Sequence, residues 1–93
     1  MERNEISTHE VRVYLALSSQ PERWMSNKDL AAELKGVARR TVRAHTHKFV
    51  SLGLIDQMEI FPGHRYRWSA KAQQRNKTYL ARLKATAEVL GLS

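Results

Sequence analysis

KGVARRTVRAHTHKFVSLGLI, residues 35–55, contains five Lys or Arg and no Asp or Glu, and within it runs a helical pattern of apolar side chains. Val42, Phe49 and Leu52 recur at helical spacing, while Arg40, Arg43 and His47 fall on the opposite side of the same wheel. One side of this helix is built to pack, and the other is offered to a partner. Gly36 and Gly53 bracket the pattern, so the helix is expected from about Arg39 to Leu52.

Upstream, Ser26-Asn27-Lys28-Asp29 has the S-x-x-D form of a capping box and opens a short helix whose buried side is Leu30, Ala31 and Leu34. Only about four residues, 35–38, then separate it from the basic helix. A turn that tight fixes the angle between two helices, which is the physical content of a helix-turn-helix. Further upstream, Ser7-Thr8-His9-Glu10 is a second capping signal. The helix it opens is expected over about Thr8 to Ser19, with Val11, Tyr14, Leu15 and Ser18 on one side and Leu17 flanking them; Gln20-Pro21 ends it. Residues 1–5 are polar and are expected to fray, and Trp24-Met25 is a short apolar pair between the two helices.

Downstream of Gly53 the period changes. LIDQMEIF, residues 54–61, is rich in strand formers, Pro62-Gly63 is a turn pair, and HRYRWS, residues 64–69, alternates basic with aromatic side chains. A β-hairpin is expected, with Tyr66 and Trp68 packed on one face and Arg65 and Arg67 exposed on the other. From Ala70 to Leu90 the helical period returns. Tyr79, Leu80, Leu83, Ala87 and Leu90 form its stripe, whereas the first turns, KAQQRNK, have almost no apolar side and are expected to project or to lie near phosphate. The stripe has two competing uses. It either folds back on the first helix to complete the core or pairs with a second copy, and a dimer is favoured because the seam is large for so small a chain to expose.

Charge is distributed as unevenly as pattern. Residues 1–33 hold four bases and six acids, a net of −2, and residues 34–93 hold twelve bases and three acids, a net of +9, which together give the overall +7. Between Glu59 and Glu88 stand seven Lys or Arg and no acid. Such asymmetry implies a polyanionic partner. With 93 residues there is room for one small core and little for a deep substrate pocket, so one domain over 1–93 and no enzyme are expected.

Catalytic and cofactor chemistry finds no foothold. Cysteine is absent, so disulfides, thiolate metal sites and a cysteine nucleophile are excluded. His45 and His47 are two apart on a helix and point about 200° apart, too far to share an ion. The acids show no paired arrangement and no Gly-rich phosphate loop occurs. No cofactor, metal or small-molecule ligand is predicted. A basic apolar leader and a membrane-length apolar run are both missing, so a soluble cytoplasmic protein is the default expectation, with no membrane partner.

The order helix, short strand, helix, turn, helix, β-hairpin, helix resembles the winged helix-turn-helix superfamily. The most specific part is SNKDLAAELKGVARRTVRAHTHKFVSLGLI, residues 26–55, which is similar to bacterial regulators in its Leu30-Ala31, Gly36-Val37, Arg40-Thr41-Val42 and Leu52-Gly53-Leu54-Ile55 at their intervals. Two positions depart from that pattern. Ala38 stands where a capping Ser or Thr is frequent, and Thr46 stands where a core Leu is usual, its hydroxyl needing an acceptor such as the carbonyl of Val42.

The resemblance implies a mainly α fold with a small β-hairpin, and a sequence-specific regulator of transcription on double-stranded DNA, of the small prokaryotic, phage or plasmid repressor kind. Arg40 and Arg43 are then expected to read bases, with Ala44 allowing close approach and His47 at the margin, while Arg39, Thr41 and Lys48 touch phosphates. His64, Arg65 and Arg67 would form the contacts of the wing. The other reading is an accessory or replication module that uses the same fold to bind a protein, or DNA without sequence preference.

Overall fold

In a computed structural model, residues 6–60 and 63–92 are described. The expected fraying of residues 1–5 and the Pro62 half of the turn lie outside them. Five helices and two strands follow in the order α1 (Thr8–Ser18), α2 (Asn27–Glu33), α3 (Arg39–Ser51), β1 (Ile55–Ile60), β2 (Gly63–Trp68), α4 (Ala72–Arg75) and α5 (Lys77–Val89). The fold is mainly helical with a two-stranded antiparallel hairpin, the winged helix-turn-helix arrangement that the pattern predicted.

α1 is the central element, touching α2, α3, α5 and β2. For that reason it buries more than one stripe: Val11, Val13, Tyr14 and Leu17 all lie in the core, and Leu15, expected there, is half-buried instead. Its cap is half of the expected box. Ser7 accepts the Glu10 amide at 3.1 Å, but the Glu10 carboxylate is buried against α3 rather than returned to the cap. The α2 box is complete, with Ser26 Oγ accepting from the Asp29 amide at 3.0 Å and Asp29 Oδ2 accepting from the Ser26 amide at 3.0 Å.

Gly36 takes φ +88° in the turn between α2 and α3, and Gly53 takes φ +78° after α3. At Gly53 the Leu54 amide donates to the Phe49 carbonyl and the Gly53 amide to the Val50 carbonyl, both at 3.0 Å. This paired bonding satisfies two helix-end carbonyls and drives Leu54 into the core beside Phe49, both fully buried. Strand β1 therefore leaves α3 at a fixed angle.

In the hairpin Ile55 faces Trp68, Asp56 faces Arg67, Gln57 faces Tyr66 and Ile60 faces Gly63. Tyr66 is buried, and the half-buried Trp68 packs its ring on Tyr14 with centroids 5.4 Å apart. The short strand expected at Trp24-Met25 is reduced to a single bridge, Met25 exchanging two 2.8 Å hydrogen bonds with Tyr66.

The C-terminal helix is not continuous. Asn76, at φ −151° and ψ 71°, ends α4 and caps α5, its side chain accepting the Tyr79 amide at 3.3 Å. An Asn is better suited to that competing bond than to a helix interior. The expectation that residues 71–77 project or lie near phosphate is departed from at two points, since Ala72 is buried and Arg75 lies against Gly53 and within 3.8 Å of Asp56, while Lys71, Gln73, Gln74 and Lys77 are exposed. In α5, Leu80, Leu83 and Ala87 complete the core with Tyr79 half-buried beside them, while Leu90 caps the helix end and is exposed. Of the two uses proposed for the stripe, the intramolecular one holds for Leu80, Leu83 and Ala87. No helix among the described residues is long and apolar enough to cross a membrane.

Candidate nucleic-acid interface

α3 is anchored from behind by Val42, Thr46 and Phe49, all without solvent exposure. That leaves Arg39, Arg40, Arg43, Ala44 and His47 exposed on the other side, with Thr41 half-buried at their edge. Among the described residues the guanidiniums of Arg39, Arg40 and Arg43 have neither a hydrogen-bond nor an ion-pair partner. Ala38 enters α3 in an extended conformation and provides no side-chain cap, so the positive end of the helix dipole is left crowded by Arg39 and Arg40. An anion placed there would relieve that repulsion.

Lys48 departs from the expectation of a phosphate contact. It turns back to the scaffold, where its Nζ lies 3.0 Å from Glu10 Oε2, as an ion pair without hydrogen-bond geometry, and 5.1 Å from the centre of the Tyr79 ring. The Glu10 side chain is 4% exposed, so its charge needs a nearby cation and Lys48 supplies it. His45 is half-buried near the same group; burial pushes its imidazole below the usual value, the Glu10 charge opposing and Lys48 and His9 assisting.

The wing arginines are held more firmly than their alternation suggested. Arg65 Nη1 lies 3.4 Å from Asp29 Oδ2, and Arg67 Nη2 lies 3.7 Å from Asp56 Oδ2 with its guanidinium 4.4 Å over the Trp24 ring. Both residues are half-buried rather than exposed, because strand pairing sets Asp56 across from Arg67 and the α2 cap sets Asp29 beside Arg65. Asp29 has its carboxyl held below the ordinary range chiefly by the Ser26 backbone amide; burial opposes this, and the Ser26 hydroxyl, Arg65 and Arg23 reinforce it. His64 remains exposed, 3.9 Å from Glu59.

Between the start of α3, the start of α2 and the hairpin lies a cleft of about 540 Å³. Arg39 and Arg43 line it from α3, His64 and Arg65 from the hairpin, and Asn27 and Lys28 from α2. The tertiary fold therefore joins two groups of cations that are some twenty residues apart in sequence, and it adds a third, Lys28. Sequence reasoning missed Lys28, although its place in the first turn of α2, two residues after the Ser26 cap, in a tight helix-turn-helix was a usable signal. Arg40, Ala44 and His47 lie outside the cleft lining, on the outward side of α3. Chemically, the surface offers planar guanidinium donors on a rigid helix and a cationic recess beside them, the requirements for base edges and for phosphate respectively. Among the described residues no three His, Asp or Glu side chains gather as a metal ion would need.

No protein-family model matches the sequence, and no curated protein matches it. Among solved structures, the chain is similar in fold to an ArsR-like transcriptional regulator from Rhodococcus sp. RHA1. The TM-score is 0.53 at 19% sequence identity, covering 86% of this chain and 82% of that one. This likeness is one of fold alone, and it agrees with the helical architecture and two-stranded hairpin described above.

Proposed function

We propose that this chain is a transcriptional regulator that binds double-stranded DNA and reads sequence with the exposed side of α3. The observation that carries the reading is the set of guanidiniums of Arg39, Arg40 and Arg43, without hydrogen-bond or ion-pair partners among the described residues, on a helix whose opposite side is locked in the core. Arg40 and Arg43 are assigned to base edges, where a bidentate pair with guanine discriminates by about 1–3 kcal/mol. Ala44 permits approach, His47 borders the contact, and Arg39, Thr41, Lys28, His64 and Arg65 take the flanking phosphates. Arg67 steadies the hairpin and adds charge. The fold it shares with a regulator of transcription supports this reading, and its repressor role and its prokaryotic, phage or plasmid setting rest on the resemblance of residues 26–55.

The protein is proposed to act in the cytoplasm as a homodimer. Val89, Leu90 and Leu92 are 84%, 41% and 40% exposed, and Leu92 lines an apolar groove of about 430 Å³ with Leu15, Ala16 and Leu34. A two-fold pairing would set two α3 helices about 34 Å apart on one side of the duplex. Selection of duplexes from a random pool, with salt titration of the winners, tests the whole reading. A palindromic consensus supports it. Tight but sequence-blind binding would move the chain to the accessory role, and no binding to any duplex at low salt would end the DNA assignment.

A further inference from the structure

Thr46 is fully buried on the side of α3 that packs into the core, where the other buried residues of α2 and α3, including Leu30, Val42 and Phe49, are apolar. Its hydroxyl lies 2.8 Å from Asn27 Oδ1 and 3.1 Å from the carbonyl of Arg43. The expected acceptor was its own helix one turn back, at Val42; the structure instead joins the first residue of α2 to the turn of α3 that carries Arg43. Asn27 also lines the cationic cleft beside Arg39 and Arg43. Apolar packing is non-directional and tolerates small sliding of one helix along another, whereas a buried hydrogen bond fixes a distance and a direction.

We infer that Asn27 and Thr46 are a positioning pair that sets the register of α3 on α2, and with it the reach of Arg43 toward a base edge. The inference rests on the DNA-binding reading for its functional half and on α2–α3 geometry alone for its structural half. Positioning of this kind acts on discrimination between sequences, because a bidentate base contact fails on a small displacement. Phosphate contacts, made by long flexible cations, survive it.

The test compares Thr46→Val, which removes the hydroxyl at nearly constant shape, with Thr46→Ser, which keeps it, each in the full chain. Binding is measured to the selected duplex and to a scrambled one of equal length. Thr46→Val is expected to reduce the ratio of the two affinities about tenfold, leaving scrambled-duplex affinity within about twofold, and Thr46→Ser is expected to restore the ratio. Asn27→Ala added to Thr46→Val should cause no further loss, since the pair acts as a unit. A ratio unchanged by Thr46→Val overturns the pair's role in recognition.

Residual dipolar couplings on the free protein form the second arm. They should report a changed angle between α2 and α3 in Thr46→Val and the native angle in Thr46→Ser; an unchanged angle in both overturns the positioning role itself. Should the unsubstituted chain bind no duplex, the DNA reading fails, and the couplings still decide for or against the pair. Should Thr46→Val not fold, Asn27→Ala, at a half-buried site, provides the same two readouts.

Discussion

The basic side of α3 and the basic strand β2 differ in what their charges do before any ligand arrives. On α3, the guanidiniums of Arg39, Arg40 and Arg43 have no hydrogen-bond or ion-pair partner among the described residues. On β2, Arg65 and Arg67 are already engaged by Asp29, Asp56 and Trp24. A free guanidinium contributes its full hydrogen-bonding capacity to a new contact, less the rotamer entropy it loses there. An engaged one must exchange one partner for another, so its net gain is smaller while its position is defined in advance. The helix is therefore suited to discrimination and the hairpin to a general, oriented attraction.

Removing the free charges should have the largest effect. Arg40→Ala with Arg43→Ala is expected to reduce preference for a selected duplex over a scrambled one by about a hundredfold, from about 1–3 kcal/mol per bidentate contact. Thermal stability should hardly change, because both side chains are exposed and neither guanidinium has a hydrogen-bond or ion-pair partner among the described residues. Competition titration against both duplexes measures the first and a melting curve the second. Retained preference in the double variant would erase the distinction between the regions.

Lys48 belongs to α3 in sequence but to the scaffold in its contacts, and its removal sharpens the comparison. Lys48→Ala leaves the Glu10 carboxylate buried without its cation, so a loss of about 1–3 kcal/mol in unfolding free energy is expected. Glu10→Gln together with Lys48→Ala should recover much of it. Chemical denaturation of the three variants reads this out. A Lys48→Ala chain that is fully stable yet binds all duplexes weakly would return Lys48 to the phosphate contacts.

A smaller and different effect is expected in the wing. Arg65→Ala should weaken every duplex by a few-fold and lower the slope of log affinity against log salt by about 1, with sequence preference intact. Arg67→Ala should do less to binding and more to the fold, where losing the stacking on Trp24 costs about 0.5–1 kcal/mol. Asp29→Asn, which keeps an acceptor for the Ser26 amide, frees Arg65 of its internal partner and should tighten all duplexes slightly. If Asp29→Asn weakens them, the exchange argument for the wing is wrong.

The contrast between these regions was only half legible in the sequence. The approximate bounds of α1, α2 and α3, the glycine turns and the outward side of α3 followed from a period and from punctuation, both local properties. The partners of Arg65, Arg67 and Lys48 did not. Those partners, Asp29, Asp56 and Glu10, stand 36, 11 and 38 residues away, and proximity is decided by strand register and by the seating of α1 on α3. Thr46 was visible as a hydroxyl in need of an acceptor, but Asn27 was not, since α2–α3 geometry brings it near. Asn76 could have been read as a helix break, yet the stripe from Tyr79 onward concealed it. Lys28 needed only the helix-turn-helix already inferred.

The smallest effect concerns the one end of α3 where fold and recognition meet. Ala38 has φ −66° and ψ 147°, the extended geometry of a capping residue, but no oxygen to cap with. Ala38→Ser should place a hydroxyl near the Thr41 amide and add about 0.5–1 kcal/mol of stability, read as a rise of a few degrees in Tm. Ala38→Asp supplies the same acceptor together with a negative charge, which offsets both the helix dipole and the crowding of Arg39 and Arg40; its stabilisation should equal or exceed that of Ser. Their effects on binding should diverge. Serine leaves the anion-attracting end intact and should not reduce duplex affinity, whereas aspartate competes with phosphate there and should lower it several-fold, more at low salt than at high. Equal behaviour of the two variants toward DNA would mean that the exposed start of α3 is uncapped for reasons unrelated to its partner.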